Sequence, residues 1–276
     1  MATQREKAAR LRQLHDGPRL LVLPNAWDVA SAKVIAAAGA HAIATSSAGV
    51  AFALGFPDGQ RISRTEMLGM VRRIAGAVDL PVSADVEAGY GPTADAAGQT
   101  ARGVVEAGAV GMNLEDSLGA GELVPLELQL SRIQAARAAA TAAGVALVIN
   151  ARTDAFAARG LAGNARIVEA VRRANAYLGA GADCAFVPFV TDREAIGRLA
   201  REIRGPLNVL AKPGSPPLAE LERLGVRRVS VGSAIALAAY GWARRSAVEL
   251  LGSGTYEALK DAIPYAEMQQ LLGQVG

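Results

Sequence analysis

Residues 81–117 read PVSADVEAGYGPTADAAGQTARGVVEAGAVGMNLEDS. A short apolar run ends in acids, a GYGPT turn follows, and an Ala/Val-rich stretch of helical spacing closes on glycine before a second apolar run ending in LED. Strand, helix and strand in that order predict a parallel βαβ unit. Working outward, the same beat recurs along the chain. Strand-like runs are expected at 19–24, 41–45, 81–86, 110–115, 146–152, 183–188, 207–211 and 228–232. Helical stretches are expected at 29–38, 64–77, 93–107, 127–143, 164–178, 192–203, 217–224 and 233–251, most of them ended by a glycine that can take the left-handed C-cap. Eight such units predict an α/β fold, the (β/α)8 TIM barrel. The rival doubly wound sheet would place a glycine-rich turn after its first strand, where this chain has PNAWD instead. The reading is one barrel domain over 1–276, with 233–276 a C-terminal helical segment that packs outside the barrel or on a neighbouring subunit.

Composition narrows the classes. The chain is 51% hydrophobic and 20% charged, enough apolar material for a large core. Lys plus Arg number 29 against 26 acids, and the basic residues are scattered, so no nucleic-acid face is expected. The single Cys rules out an intramolecular disulfide. MATQREKAARLRQLHDG has no apolar core of the kind a secretory signal needs and reads as an amphipathic surface helix, so a cytoplasmic protein is expected. The longest uncharged run, 34–57, is interrupted by glycines, serines and a proline and is not read as a membrane span.

In such a barrel the site lies where the strands end. Asp85 and Glu87, two apart on one expected strand, share a face, and Glu115 and Asp116 end the next. Carboxylates converging there repel one another unless a cation joins them, and hard oxygen donors suit Mg2+. The alternative is that these acids cap helices or pair with Arg102 and Arg132. Arg152 ends a strongly apolar strand and offers a fork to a substrate carboxylate, or to Asp154. Ser46 and Ser47, in a small-residue turn, can donate to a carboxylate or oxyanion. Asn208 is a polar residue in an apolar run, either facing the barrel interior or a satisfied core amide. The loop 53–63, ALGFPDGQRIS, is long enough to cover the site and carry Asp58 inward. Cys184 reads as a small buried hydrophobe. His15 belongs to the N-terminal helix, and His41 starts the second strand, at the wrong end for catalysis.

Taken together, PNAWDVASAKVIAAAGAHAIATSSAG, GFPDG, PVSADVEAGYG, GMNLEDS and VINARTDAF resemble the isocitrate lyase/phosphoenolpyruvate mutase superfamily, in particular its 2-methylisocitrate-lyase-like branch. The resemblance covers most of the chain. It implies a (β/α)8 barrel, a homodimer or homotetramer whose subunits exchange the eighth helix, and a Mg2+ ion holding a 2-oxo acid or its enolate. By position, Asp85 resembles the direct metal ligand, while Glu87 and Glu115 resemble carboxylates reaching the ion through water. Ser46 and Ser47 match the turn that grips the substrate carboxylate, Arg152 the substrate arginine, Asp58 the gating-loop aspartate and Asn208 a substrate contact. The chain departs from the pattern in several places. D-x-E replaces D-x-D, and the Lys-x-Cys-Gly-His acid loop of the lyases is absent from EDSLGAGELVPLE. Phe189 stands where lyases place a glutamate. These features predict a Mg2+-dependent lyase acting on a small 2-oxo or 2-hydroxy di- or tricarboxylate by C–C cleavage or decarboxylation, with water or Tyr90 as proton donor. The alternatives are a phosphonopyruvate-type P–C enzyme and a 2-oxo acid binder with little catalysis.

Overall fold

The computed structural model describes residues 2–273. Its strands are β1 (Leu21–Leu23), β2 (Asn25–Ala26), β3 (Ile43–Thr45), β4 (Val82–Asp85), β5 (Gly111–Glu115), β6 (Ser117–Gly119), β7 (Glu122–Leu123), β8 (Val148–Arg152), β9 (Cys184–Val187), β10 (Leu207–Leu210) and β11 (Arg228–Ser230). All but β6 and β7 form one parallel sheet in the order β1-β11-β10-β9-β8-β5-β4-β3-β2. The two ends of that list are pieces of one strand. Pro24 has no N–H to give to a ladder, so β1 pairs with β11 and β2 turns to pair with β3, which closes the barrel with eight strand positions.

The helices are α1 (Gln4–Asp16), α2 (Val29–Ala37), α3 (Ser47–Ala53), α4 (Arg64–Ala77), α5 (Ala94–Glu106), α6 (Leu126–Ala142), α7 (Asn164–Gly179), α8 (Arg193–Glu202), α9 (Leu218–Arg223), α10 (Ala234–Gly252) and α11 (Tyr265–Gly273). Local chemistry sets their ends. Asp28 and Ser63 form capping boxes with Ser31 and Glu66, satisfying orphan N–H groups at the starts of α2 and α4. Gly108 and Gly144, at φ 88 and 69, turn the chain from α5 and α6 toward the next strand in a conformation that costs other residues energy. Ile149, Met112, Leu114 and Ile43 are fully buried in the strand layer, as are Ile133 and Met67 on the helices. Cys184 is a free thiol at 0% exposure, as expected of a small core residue. No helix among the described residues is long and apolar enough to cross a membrane.

The N-terminal helix is more than a surface helix. Ala8, Leu11 and His15 of α1 are buried, and Gln4 and Lys7 donate to the carbonyls of Val105, Ala109 and Val78. The helix therefore plugs the end of the barrel opposite the strand termini. His15 Nδ1 lies 2.8 Å from Leu11 O, so a donating Nδ1–H leaves Nε2 as an acceptor facing Arg228 Nη1 at 3.4 Å. Burial, and after it the Arg228 charge, pull the imidazole down from 6.5 to about 4. The unfolded chain binds the proton first as the pH falls. The His15 contribution to stability is therefore expected to be complete above pH 6.5 and to fall by about 3 kcal/mol by pH 4. Carboxyls raised by burial, Glu87 among them, work the other way over the same range. The His15 share is therefore the difference in denaturant midpoints between the unaltered protein and His15→Gln, which should widen from pH 4 to pH 6.5; an equal pH dependence in the two would contradict the assignment.

Helix α10 does not lie back on the barrel as an eighth outer helix would. It runs out past β2, and its far half is held by the following turn: Trp242 Nε1 donates to Ala258 O, and the Glu249 carboxylate accepts from the backbone of Glu257 and Ala258. Leu251 is 86% exposed and Val248 67%. The C-terminal helical segment expected over 233–276 continues in α11 as far as Gly273, and the remainder lies outside the described residues.

Candidate active site

The strand register builds the site in layers. Asp85, Asn113 and Asn150 are paired neighbours on β4, β5 and β8, and one layer higher Glu115 is level with Arg152 and Arg152 with Phe186. Above them open two connected lobes. The inner lobe, about 140 Å³, is lined by Ser46, Ser47, Asp85, Asn113, Arg152 and Phe189 among others. The outer lobe, about 520 Å³, adds Glu87, Glu115, Asp154 and Arg132. Ser47, Asp58 and Arg152 belong to both.

Asp85 is held from three sides. Its Oδ2 accepts from the Ser47 N–H at 3.0 Å and the Ser47 hydroxyl at 2.9 Å, Asn113 Nδ2 approaches Oδ1 at 3.5 Å, and its own N–H donates to Thr45 Oγ1. Ser46 and Ser47 do not sit in an open turn: Ser46 caps the short helix α3, its Oγ accepting from Gly49 N at 3.1 Å and keeping its proton for a ligand.

Glu87 differs from its expected place. The strand ends at Asp85, and Glu87 takes a left-handed conformation at φ 51, which turns its carboxylate toward the loop. There Gln60 N donates to Oε2 at 2.6 Å and Tyr90 OH to Oε1 at 3.3 Å. Burial, then the charges of Asp85 and Asp58, push the Glu87 carboxyl up to about 7. Gln60, Tyr90 and Phe189 are also left-handed, at φ 56, 55 and 65. Such strain in residues with side chains persists only where the surroundings impose it, and here it gathers at one rim.

Arg152 is committed in this structure. Its Nε and Nη2 grip Asp154 at 2.6 and 2.9 Å, and Nη1 meets Glu115 Oε2 at 2.7 Å. Three of its N–H groups are thereby used, and two remain for a ligand. Phe186 and Phe189 flank the guanidinium at 5.8 and 5.5 Å. Burial works against its charge, but the carboxylates of Glu115 and Asp154 keep it firmly protonated. Burial likewise pushes the Glu115 carboxyl up, and Arg152 counters it.

Two candidates fall away from the cavity. Asn208 is fully buried below it, with Nδ2 3.5 Å from Ser230 Oγ and Oδ1 without a partner, so it faces the barrel interior rather than a ligand. Tyr90 lines neither lobe, its hydroxyl is directed at Glu87, and burial drives its acidity down, so it is poorly made for a proton donor. Asp58 lines both lobes from an exposed loop that Gln60 ties to Glu87 and to Tyr90 N.

Asp154 and Asn113 were not singled out in the sequence. The first lies two residues past Arg152 and was weighed only as its partner; the second is an amide inside an apolar run, the same signal that drew attention to Asn208. Asp116 turns away from the mouth. Its Oδ2 accepts from Tyr177 OH at 2.5 Å and Arg173 Nη1 at 3.2 Å, and its Oδ1 from Asp154 N at 2.8 Å, so it anchors the residue that holds Arg152.

The donor set fits a hard divalent cation. Asp58, Asp85 and Glu87 line the cavity with no ion-pair partner among the described residues, and the charges of Asp85 and Asp58 add to burial in raising the Glu87 carboxyl. Arg102 and Arg132 do not neutralise them; Arg132 donates to the Gly91 and Pro92 carbonyls. No three acids among the described residues are close enough to cage an ion. One direct carboxylate with the others acting through water is the arrangement Mg2+ tolerates.

The sequence model of phosphoenolpyruvate phosphomutase matches residues 11–251. The chain belongs to that family. It is 36% identical over 259 residues to an uncharacterized protein of Mycobacterium tuberculosis, covering 94% of each chain. Over 214 residues it is 32% identical to a 2-methylisocitrate lyase of Bacillus subtilis, covering 75% of this chain and 67% of that one. Among solved structures, an oxaloacetate acetylhydrolase in complex with its product oxalate superposes with a TM-score of 0.86 at 25% identity, covering 97% of this chain and 94% of the other. The family resemblance and the barrel are thereby both established, and two of these relatives are named for small carboxylic acids, 2-methylisocitrate and oxaloacetate.

Proposed function

We propose that this protein is a Mg2+-dependent lyase acting on a small 2-oxo dicarboxylate of the oxaloacetate kind, by decarboxylation or C–C cleavage through the enolate. The observation that carries it is the pair of unpaired acids Asp58 and Asp85 lining a small inner lobe together with a protonated Arg152, with Glu87 beside them in the outer lobe. A water-sized group takes roughly 30 Å³ of liquid, so an inner lobe of about 140 Å³ suits a handful of heavy atoms.

Asp85 would hold Mg2+ directly, with Glu87 and Glu115 reaching it through water, and the ion would supply a Lewis acid for the 2-oxo group. The two free Arg152 N–H groups and the Ser46 hydroxyl bind the substrate carboxylate. Phe186 and Phe189 keep water from the guanidinium and fix its plane. In decarboxylation, the bond from C3 to the leaving carboxylate breaks, its electron pair enters the enolate, CO2 departs, and the enolate carbon takes a proton from water. No protein acid is required for the bond-breaking step, which accords with a β6–β7 hairpin that carries no Lys, Cys or His.

A direct test incubates the protein with oxaloacetate, 2-methylisocitrate and phosphonopyruvate, with Mg2+ or with EDTA, and follows products by proton NMR. Pyruvate formed from oxaloacetate faster than with Asp85→Ala is expected. Oxalate with acetate would instead mark hydrolysis, turnover of phosphonopyruvate alone would mark the P–C reading, and Mg2+-dependent binding without products would leave a 2-oxo acid binder.

The same reading has the protein assemble with copies of itself through α10. A groove of about 720 Å³ beside β1, lined by Leu14, Leu20, Val22 and Pro24 with Arg10, Arg19 and His41, is open to receive the exposed apolar side of that helix from a second copy. Exposed apolar surface of this kind is uncommon on a monomer. Light scattering should give a dimer or tetramer, and Leu251→Glu should lower the mass; a monomeric mass for the unaltered protein would contradict the exchange.

A further inference from the structure

The interior of a (β/α)8 barrel is usually packed with branched apolar side chains. Here the layer beneath the inner lobe is polar: Ser83, Asn113, Asn150, Asn208 and Arg228 are all buried. Arg228 starts β11, is fully buried, and has no carboxylate partner among the described residues. Its Nη1 faces His15 Nε2 at 3.4 Å, its Nη2 faces Ser83 Oγ at 3.3 Å and Asn113 Oδ1 at 3.5 Å, and its Nε has no partner. A bare buried cation costs stability, and a fold that needed only packing would do better with an apolar residue.

The contacts lead upward. Asn113 Oδ1 takes a short bond from Asn150 Nδ2 at 2.6 Å on the side Arg228 approaches, which aims Asn113 Nδ2 at Asp85 Oδ1. Asn113 lines the inner lobe, and so does Ser230, two residues beyond Arg228 on the same strand. The guanidinium therefore lies directly under the floor on which a ligand would sit.

We propose that Arg228 is a positioning residue that keeps a positive charge beneath the inner lobe and fixes the Asn113 amide, so favouring an anionic ligand and the negative charge that develops as it reacts. This rests on the 2-oxo acid reading of the site. The sign of the effect separates it from a packing role: a cation below the floor attracts a carboxylate and repels Mg2+. Losing it should weaken the anion and leave the metal unaffected or tighter.

The test follows thermal stability of the full chain against Mg2+ alone, and against oxalate at saturating Mg2+, for Arg228→Met, Arg228→Gln and Arg228→Lys. Arg228→Met without ligand is expected to be no less stable than the unaltered protein. In both the Met and Gln variants the oxalate concentration for half-effect should rise about tenfold, the order for unit charges roughly 10 Å apart at an effective dielectric of about 20. The Mg2+ half-effect should stay or fall, and Lys should restore most of the oxalate response. Equal oxalate responses in all variants would overturn the proposal, as would parallel losses for metal and anion. If Arg228→Met fails to fold, the Gln and Lys pair decides, since they differ in charge while both can hydrogen bond. Absence of any oxalate response in the unaltered protein would instead defeat the functional reading on which this one stands.

Discussion

Asp85→Ala is expected to abolish Mg2+-dependent ligand binding and to reduce turnover by about a hundredfold to a thousandfold, the usual cost of removing a preorganised group at a charge-developing centre. Asp85 lines the inner lobe and is the one acid held from below by Asn113 and from the side by Ser47, and it carries no cation partner among the described residues. The stability of the ligand-free protein should move the other way. Removing one charge from a group that already pushes Glu87 up relieves repulsion, so the thermal midpoint without Mg2+ should hold or rise. A variant that loses activity together with several degrees of stability would point to a structural role instead.

Asp116→Ala should give the largest loss of stability, about 3 kcal/mol, because it strands Arg173 and Tyr177 in the core. The figure sits at the low end for a broken buried pair, since Arg173 keeps Glu169 at 2.6 Å and the Val124 carbonyl at 2.9 Å. In a chain of this size that corresponds to a fall of roughly 6–12 °C in the thermal midpoint. Activity should fall too, and through KM first, since Asp116 fixes the Asp154 backbone and Asp154 grips Arg152. A midpoint within one or two degrees of the unaltered protein would show that the buried network is not what holds this side of the barrel.

The barrel was legible because its periodicity is strong: each expected strand falls on an observed one, and α4 spans the residues expected of it. Where the reading stopped short, tertiary geometry decided. Glu87 lies two residues from Asp85, and on a continuing strand the two would share a face; the left-handed turn that redirects it leaves no mark in composition. Short α3 was hidden because SSAG reads equally well as a turn. The N-terminal helix looks like a surface helix from its charges, and only the open end of the barrel makes Leu11 and His15 core residues. Asn113 and Arg228 were invisible for a related reason: polar residues inside strands could not be assigned to the barrel interior until the register was known. The acids and Arg152 draw attention in the sequence because strand ends are where this fold puts its chemistry, but that Arg152 is shared between Asp154 and Glu115 is a matter of distances.

The most direct test of the central claim is the change in thermal midpoint caused by oxalate, a mimic of the enolate end of a 2-oxo acid, measured with and without Mg2+ in the unaltered protein and in Asp85→Ala. A ligand at a hundred times its Kd adds roughly 2.7 kcal/mol. The expected result is a shift of several degrees that requires Mg2+ and is lost in Asp85→Ala. An oxalate shift that is independent of Mg2+, or none at any concentration, would contradict a metal-assisted 2-oxo acid site at the mouth of this barrel.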